Sequence, residues 1–405
     1  MLKYIEKLIS QEDQAMFRIL SIVVLLSFLA IGVNATLTPD DRPAKNKIIP
    51  NEASVIDLHE RGLVVTNPRV KDILREHEAY TKDHLDHRNI NNSVLGYVTP
   101  WNGAGYDNAK LFAKKFTHIS PVWLQLKLND DEETTRVEGT HDIDTGWMRD
   151  LRKANPDIKI VPRVMLDNWY ASQLIALLTN TKLPSLIGRQ LVELAKKHEF
   201  DGFVLEMWSS FAAQQKPDVI EIISKIYAHF KKNKLLLILV VPPPLHYGGR
   251  IGLFVKDDAE RLAPHVHGFS LMTYDYSNPQ RPGPNSPLKW VKECIKALAP
   301  RATSPIRKKL FVGLNFYGYD YSPTGGSAVV ASQYLGILEK HKPKLVWDPD
   351  SGEHYLEYKS GAGRNHVFFP SLMSIQKRID LLRDMNTGIS IWELGQGLKY
   401  FHDLL

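Results

Sequence analysis

The sequence predicts a (β/α)₈ barrel, an α/β fold, and three observations carry this prediction. Short apolar segments typical of buried strands alternate with amphipathic helical segments from residue 94 to residue 392, which is the pattern of a parallel sheet. There are eight such units, the number that closes a barrel. The chain has 405 residues, 43% hydrophobic and 24% charged, enough for one large core. A doubly wound open sheet is the competing fold, but its glycine-rich phosphate loop is only weakly matched by Gly103 and Gly105.

Each predicted strand is a run of bulky apolar residues, and helical periodicity fills the intervals, for example at 186–197 and 219–231. The predicted strands are, in order, 94–98, 118–125, 159–166, 200–208, 235–241, 268–274, 310–316 and 388–392. The stretch 321–370 lacks this rhythm and alternates like antiparallel strands around 354–359. We therefore expect a small α+β insertion between strands seven and eight.

The N-terminal region predicts a secretory route. Arg18 precedes an apolar run that ends in Val33-Asn34-Ala35, and this length and these small residues are typical of a signal peptide. We expect residues 1–35 to be removed, leaving a secreted or lysosomal protein without stable membrane insertion; a retained anchor is the alternative. Translation starts at Met1 or at Met16, and the sequence leaves this open.

Residues 36–90 predict an N-terminal extension on the outside of the barrel, with one amphipathic helix near residues 70–80. The barrel itself is expected to span residues 91–405. Asn91 begins a glycosylation sequon immediately before the first strand, and the sequence leaves open whether it accepts a glycan.

Composition argues against several classes of function. Cys294 is the only cysteine, so no intrachain disulfide forms. The net charge is +6, but the basic clusters are short and scattered, which does not predict a nucleic-acid surface. His141, Asp142 and Asp144 lie in a polar loop where Asp144 fits a helix N-cap better than a metal ligand. We expect no metal and no cofactor.

The fourth predicted strand carries the strongest functional signal. Because side chains alternate along a strand, Val204, Glu206 and Trp208 are expected to share one face, and the opposite face is wholly apolar. A carboxylate beside a large flat aromatic is a combination that suits a sugar, since it pairs a hydroxyl acceptor with an apolar plate.

This segment resembles the fourth strand of the family 18 glycoside hydrolases, the chitinase family, whose pattern there is Asp-Gly-x-Asp-x-Asp-x-Glu. Asp201 and Gly202 match, Val204 and Glu206 stand where the second and third Asp belong, and Trp208 stands where the family has its proton-donating Glu. The segments 272–275 and 390–392 also resemble the family, and the likeness spans roughly residues 90–405.

The resemblance implies roles for several residues. Tyr274 and Asp275 would hold the N-acetyl group or hydroxyls at the deepest subsite, Trp392 would form the floor of that subsite, and Tyr97 matches an aromatic on strand one. It also implies oligosaccharides of the chitin or GlcNAc type as ligands, a link to innate immunity, and a scavenger-type receptor of the stabilin class as protein partner.

Side chains at the C-terminal ends of barrel strands form the working surface of this fold, and here they are rich in aromatics. The predicted saccharide-binding residues are Tyr97, Trp101, Trp123, Glu206, Trp208, Met272, Tyr274, Asp275, Tyr276, Tyr317, Trp392 and Glu393. Tyr319 stands at a further strand end. Together they predict an aromatic-lined groove.

The residues at the fourth strand predict that hydrolysis is lost. Glycoside cleavage needs a carboxylic acid near the leaving oxygen, the indole of Trp208 is not an acid near neutral pH, and loss of a general acid costs about 10² to 10⁴ in rate. Two alternatives stay open: a weak hydrolase that uses Glu206, one pleat or roughly 6–7 Å away along the strand, and a protein-interaction scaffold. The identity and length of the glycan and the oligomeric state are not predicted.

Overall fold

A computed structural model describes residues 51–405. The predicted signal peptide and the first part of the extension lie outside the described residues. The described chain holds eighteen strands and ten α-helices.

The strands are numbered in chain order. They are β1 Ala53–Ser54, β2 Tyr80–Thr81, β3 Val94–Val98, β4 His118–Pro121, β5 Leu124–Leu128, β6 Thr135–Glu138, β7 Lys159–Ile160, β8 Arg163–Leu166, β9 Gly202–Glu206, β10 Leu236–Val241, β11 Gly268–Leu271, β12 Leu310–Asn315, β13 Gly318–Ser322, β14 Gly325–Val329, β15 Leu345–Asp348, β16 Glu353–Ser360, β17 Gly363–Phe368 and β18 Gly388–Trp392.

The helices are α1 Val70–Glu76, α2 Gly103–Leu111, α3 Thr145–Ala154, α4 Ala171–Thr179, α5 Leu183–His198, α6 Lys216–Lys232, α7 Lys256–Leu262, α8 Leu288–Leu298, α9 Ala331–His341 and α10 Leu372–Asp384. Most are amphipathic; α6, for example, buries apolar residues at intervals of three and four from Val219 to Phe230.

The eight predicted barrel strands form one closed parallel sheet. The hydrogen-bonded order runs β5, β8, β9, β10, β11, β12, β18, β3, β4 and β7, and β6 adds an antiparallel strand to the outer side of β5. β4 and β5 are two halves of the second predicted strand, and β7 and β8 are two halves of the third. Predicted strands two and three therefore pair twice, through β4 with β7 and through β5 with β8. Because each of these strands continues from one end of the hydrogen-bonded order to the other, the ring closes as the sequence predicts.

Two separate apolar clusters result from this closure. A small one fills the barrel interior and includes Leu95, Val161, Val204 and Ile238. A much larger one lies between the strands and the helices and includes Phe203, Leu205 and Met207 among many others. Alternating side chains of each strand thus supply two cores, and only the inner face leads to the barrel mouth.

Gly202 begins β9 where strand β10 comes very close. A Cβ at this position would lie 2.1 Å from the carbonyl oxygen of Leu236. No side chain fits that space, so glycine is required for the register between these two strands.

A small α+β insertion follows β12, as predicted. Strands β13 to β17 form an antiparallel sheet in the order β14, β13, β17, β16, β15, with α9 between β14 and β15. The N-terminal extension also contains its predicted helix, α1, which buries Ile73 and Leu74. Strands β1 and β2 pair with each other at the edge of this extension.

Several smaller expectations can be compared with the described residues. Asp144 caps α3, because its Oδ1 accepts a hydrogen bond from Trp147 N at 2.8 Å. Cys294 is buried on α8, and burial raises the pKa of its thiol to about 12. Within residues 51–405 we find no cluster of three metal-ligating side chains. Over the same residues, every helix is too short or too polar to cross a bilayer.

Candidate functional site

The inner face of β9 ends in an ion pair at the barrel mouth. Glu206 is the last residue of β9, and its Oε2 lies 2.9 Å from Nη1 of Arg163 on β8. The guanidinium of Arg163 also lies over the ring of Trp392, 5.4 Å from its centroid. The Glu206 side chain is 30% exposed and that of Arg163 is 13% exposed, so the carboxylate keeps contact with the groove while the guanidinium is mostly covered.

Trp208 does not share this face, and the prediction that it lines the groove is wrong. β9 ends at Glu206, and Met207 leaves the extended conformation with φ −147° and ψ −22° to start a 3₁₀ turn. The alternation of side chains therefore stops before residue 208. The indole of Trp208 is 2% exposed and packs edge-on against Phe254 in the layer between strands and helices, with centroids 5.3 Å apart.

Trp123 is a second correction. It lies in the break between β4 and β5, is fully buried, and packs against Trp147 and Phe200 outside the barrel. Its Nε1 donates a hydrogen bond to the hydroxyl of Tyr106 at 2.6 Å. The break turns the side chain away from the barrel interior, so no saccharide reaches it.

Glu393 is a third correction, because the structure places its side chain outside the groove. Its side chain is fully buried beside the start of α2, where Oε1 accepts from Asn102 Nδ2 at 2.5 Å and Oε2 from Gly395 N at 3.2 Å. Burial raises the pKa of this carboxyl to about 7. Glu393 therefore ties β18 to the loop after β3 and offers no surface to a ligand.

Two aromatic residues form the floor of the mouth. Trp392 is half-buried at the end of β18, and the ring of Tyr97 lies beneath it at a centroid distance of 5.2 Å. The hydroxyl of Tyr97 is 2.7 Å from Ser270 Oγ, and Tyr97 itself is only 3% exposed. Tyr97 therefore supports Trp392 from below, and Trp392 presents the ring that a ligand can touch.

Asp275 sits on one wall with two tyrosine hydroxyls pointed at it. Its Oδ1 accepts from Tyr317 at 2.5 Å and from Tyr319 at 3.1 Å, and its backbone N donates to Asn285 Oδ1 at 2.6 Å. Asp275 has a left-handed φ of 59°, a conformation that Asp tolerates better than most residues.

Asp275 is exposed as a residue, yet its carboxyl group is surrounded by protein. Burial of this carboxyl raises its pKa, and the hydrogen bonds from Tyr317 and Tyr319 oppose that rise. The neighbouring Tyr274 is half-buried, and burial raises its pKa well above the usual value. Both phenols of Tyr274 and Tyr317 therefore stay protonated at neutral pH and act as donors.

The remaining predicted residues lie around the rim. Trp101 is 52% exposed in the turn after β3, and Met272 is half-buried against the inner cluster. Tyr276 packs between Tyr247 and Trp290, with the Arg281 guanidinium 5.4 Å from its ring. They extend an apolar surface outwards from Trp392 and Asp275.

Arg163 is the residue that sequence reasoning missed. It lies within a predicted barrel strand, on the same face as Val161 and Met165 by alternation. A charged residue in the middle of a buried strand is the signal that points to it, because buried charges are almost always paired. Asp201, by contrast, lies at the start of the strand and pairs with Arg152 at 3.2 Å, away from the mouth.

Comparison with known proteins gives a consistent result. The family described as glycosyl hydrolases family 18 matches residues 93–397. Similar solved structures include a chitinase from Chromobacterium violaceum, at 19% identity and a TM-score of 0.65 over 77% of this chain and 98% of that chain. The spore cortex-lytic enzyme SleL of Bacillus cereus matches at 16% identity and TM-score 0.65, over 77% of this chain and 73% of that one.

A chitinase from Cycas revoluta solved with (GlcNAc)₃ is similar at 15% identity and TM-score 0.64, over 77% of this chain and 97% of that chain. At these identities the structural similarities show the fold. The family match over most of the barrel is the independent observation that identifies the lineage.

Proposed function

Because the chain belongs to the glycosyl hydrolases family 18, we propose that it binds oligosaccharides of the chitin or GlcNAc type and does not hydrolyse them by the family mechanism. The observation that carries the proposal is the end of β9, where the inner face presents Glu206 as its last carboxylate and the chain then turns Trp208 into the helical layer. A binding surface remains at the mouth without an acid at the family's donor position.

Hydrolysis by the family mechanism is disfavoured because an acid is absent from the donor position, not because an indole fills the groove there. Cleavage in this family needs one carboxylic acid that protonates the leaving oxygen, with the sugar's own acetamido group as nucleophile. At position 208 the side chain is neither acidic nor in the groove. The other carboxyls near the mouth are engaged: Asp275 by two tyrosines and Glu393 by its buried contacts.

Trp392 and Asp275 supply the two kinds of contact that a sugar needs. A half-buried indole offers a flat apolar plate on which a pyranose ring stacks. Asp275 offers carboxylate oxygen, and the phenols of Tyr274 and Tyr317 stay protonated beside it. Acceptors and donors at the edge of an aromatic plate are what the hydroxyl and acetamido groups of a GlcNAc unit require.

A weak glycosidase that uses Glu206 is the second candidate, favoured by the partial exposure of this carboxylate in the groove. Its Oε2 is occupied by a guanidinium at 2.9 Å, whereas a general acid has to present a protonated oxygen within hydrogen-bond reach of the glycosidic oxygen. We therefore favour binding over catalysis. A scaffold that binds only protein is the third candidate.

The proposal extends to compartment and partner. The N-terminal sequence supports secretion or delivery to the lysosomal lumen, and the family resemblance of the sequence supports a scavenger-type receptor of the stabilin class and a role in innate immunity. Asn91 is exposed immediately before β3, which suits a glycan acquired on that route.

The test combines titration and cleavage on one preparation. Isothermal titration with (GlcNAc)₄ is expected to give a saturable heat that Trp392→Ala abolishes, while Tyr170→Ala, which removes an aromatic side chain that is 74% exposed, leaves it unchanged. Mass spectrometry after a long incubation is expected to find intact oligosaccharide.

Each alternative has its own outcome in this experiment. Product release that disappears in Glu206→Gln would establish the hydrolase. Equal heats for Trp392→Ala and the unmodified chain would remove the groove as the binding site, and receptor capture that survives Trp392→Ala in the absence of any glycan binding would establish the scaffold.

A further inference from the structure

A buried carboxylate of the insertion lies behind the wall of the groove. Glu353 is the first residue of β16 and is 7% exposed. Its Oε1 lies 3.0 Å from Nη2 of Arg378 on α10, which is 4% exposed. Taking two charges out of water is costly unless they pair, so each of these side chains fixes the position of the other. Neither residue is among the predicted groove residues.

The same carboxylate holds the chain segment between β11 and α8. Oε2 of Glu353 accepts a hydrogen bond from Asn285 N at 3.0 Å, and Oε1 accepts one from Ser286 N at 2.6 Å. The Arg378 guanidinium donates to the carbonyl oxygen of Ser286, and Ser286 Oγ donates to the carbonyl oxygen of Thr273 at 2.6 Å. Hydrogen bonds to ionised groups are stronger than those between neutral groups. The ion pair therefore fixes the backbone of residues 285 and 286.

Asn285 connects this fixed segment to the wall of the groove. Its Oδ1 accepts a hydrogen bond from Asp275 N at 2.6 Å, and its carbonyl oxygen accepts one from Tyr276 N at 2.9 Å. Two consecutive backbone N–H groups of the wall are thus bound by one residue, which is itself 1% exposed. Asn285 has no other side-chain contact of this kind, since its Nδ2 has no hydrogen-bond partner within residues 51–405.

The backbone that Asn285 binds has an uncommon conformation. Asp275 has a left-handed φ of 59°, which costs free energy and persists only where the surrounding structure enforces it. In this conformation Oδ1 of Asp275 accepts from the hydroxyls of Tyr317 at 2.5 Å and Tyr319 at 3.1 Å. A different φ would change the direction of the side chain. A group that is held in place before the ligand arrives loses less entropy on binding.

We propose that Asn285, held by the pair of Glu353 and Arg378, is a positioning residue for glycan binding. It sets the conformation of Asp275 and contacts no ligand itself. This role rests on the proposed function, since it concerns the affinity of the same groove. The insertion and α10 thereby control a contact at the barrel mouth, although their two charged residues are buried behind it.

The experiment is a double-mutant cycle for (GlcNAc)₄ binding, measured by isothermal titration on the full chain. Asn285→Leu keeps most of the side-chain volume and removes Oδ1, and it is expected to weaken binding about 10-fold. Asp275→Gly removes the carboxylate and tolerates the positive φ, and it is expected to weaken binding by about 10-fold or more. In the Asp275→Gly background, Asn285→Leu should weaken binding less than about 2-fold, because no carboxylate is left to position.

Asn365→Leu is the matched control. Asn365 is 6% exposed, and its hydrogen-bond partners Asp320, Tyr358 and Ser360 all lie within the insertion. We expect this variant to leave the affinity unchanged. A merely structural role of Asn285 would give a different pattern: Asn365→Leu would weaken binding too, and Asn285→Leu would weaken it equally with and without the Asp275 carboxylate.

A second measurement needs no ligand. Hydrogen exchange of the Asp275 backbone amide, followed by NMR, is expected to be about 10-fold faster in Asn285→Leu and unchanged in Asn365→Leu. Glu353→Gln removes the charge opposite Arg378 and is expected to accelerate exchange at the same amide. If either Asn285→Leu or Glu353→Gln does not fold, Asn285→Ala, which removes the same oxygen with less bulk, takes its place.

The two measurements separate this role from the proposed function. Absence of a titratable heat in the unmodified chain would overturn glycan binding, and amide exchange would still decide whether Asn285 holds Asp275. Unchanged exchange at Asp275 in Asn285→Leu would overturn the positioning role. A loss of affinity that persists undiminished in the Asp275→Gly background would overturn it as well.

Discussion

The ion pair between Arg163 and Glu206 makes the sharpest prediction about the barrel mouth. Arg163→Met removes the charge and keeps most of the apolar stem, which leaves the Glu206 carboxylate without a counter-ion. Removing one partner of a fully buried pair costs about 3–5 kcal/mol, whereas exposed pairs contribute about 0–1 kcal/mol. Because the two side chains are 13% and 30% exposed, we expect Arg163→Met to lower the free energy of unfolding by about 2 kcal/mol.

Glu206→Gln is expected to lower the free energy of unfolding by less, about 1 kcal/mol, since Arg163 keeps its contacts with Trp392 and with Met165 Sδ at 3.0 Å. The double variant removes both charges, so its loss should fall below the sum of the single losses by about 1 kcal/mol or more. Urea unfolding at pH 7, followed by tryptophan fluorescence, gives all four free energies of the cycle.

The cycle also has a control and a clear contrary result. The exposed pair Arg364 and Glu357, at 2.8 Å with side chains 60% and 37% exposed, should give a coupling below about 0.5 kcal/mol. A coupling for Arg163 and Glu206 no larger than that of the surface pair would refute the claim that the two charges depend on each other.

Three further predictions concern two side chains that lie outside the groove, Glu393 and Trp208, and the close approach of two strands at Gly202. Burial raises the pKa of the Glu393 carboxyl above its unfolded value to about 7. The folded state therefore binds a proton that the unfolded state has lost, and the free energy of unfolding falls as pH rises from about 4.5 to 7. Urea unfolding should show Glu393→Gln to be more stable than the unmodified chain at pH 8, by on the order of 3 kcal/mol, and no more stable at pH 4. Trp208→Ala should lower the free energy of unfolding by about 3–5 kcal/mol. Calorimetry below the melting temperature should find its affinity for (GlcNAc)₄ unchanged, and a folded variant that has lost this affinity would show that Trp208 contacts the ligand. Gly202→Ala should lower the melting temperature by at least several degrees or prevent folding, because a Cβ 2.1 Å from the carbonyl oxygen of Leu236 forces β9 and β10 apart. Gly336→Ala is the control and should not lower the melting temperature, because a Cβ there meets nothing within 4 Å.

The groove shows how far side-chain alternation can be trusted. Tyr97, Glu206 and Trp392 lie on the inner face, where alternation predicts them, because β3, β9 and β18 stay extended up to those residues; that they bind a saccharide stays a prediction. Trp208 was misplaced because Met207 leaves the extended region, and the period of two holds only where the backbone is a strand. The predicted position of the Trp123 side chain is wrong for the same reason, because Trp123 lies in the break between β4 and β5.

The order of strands and helices, the closed barrel, the insertion and the aromatic residues at several strand ends were determined by the sequence itself, because hydrophobic periodicity is a local property. Only the tertiary structure decided that Arg163 pairs with Glu206, that Glu393 turns towards Asn102, and that Glu353 of the insertion binds the backbone of Asn285 behind the groove wall. These features depend on segments far apart in the chain and on single backbone turns at strand ends. Such contacts leave no periodic trace in the sequence, since their geometry exists only once the barrel has closed.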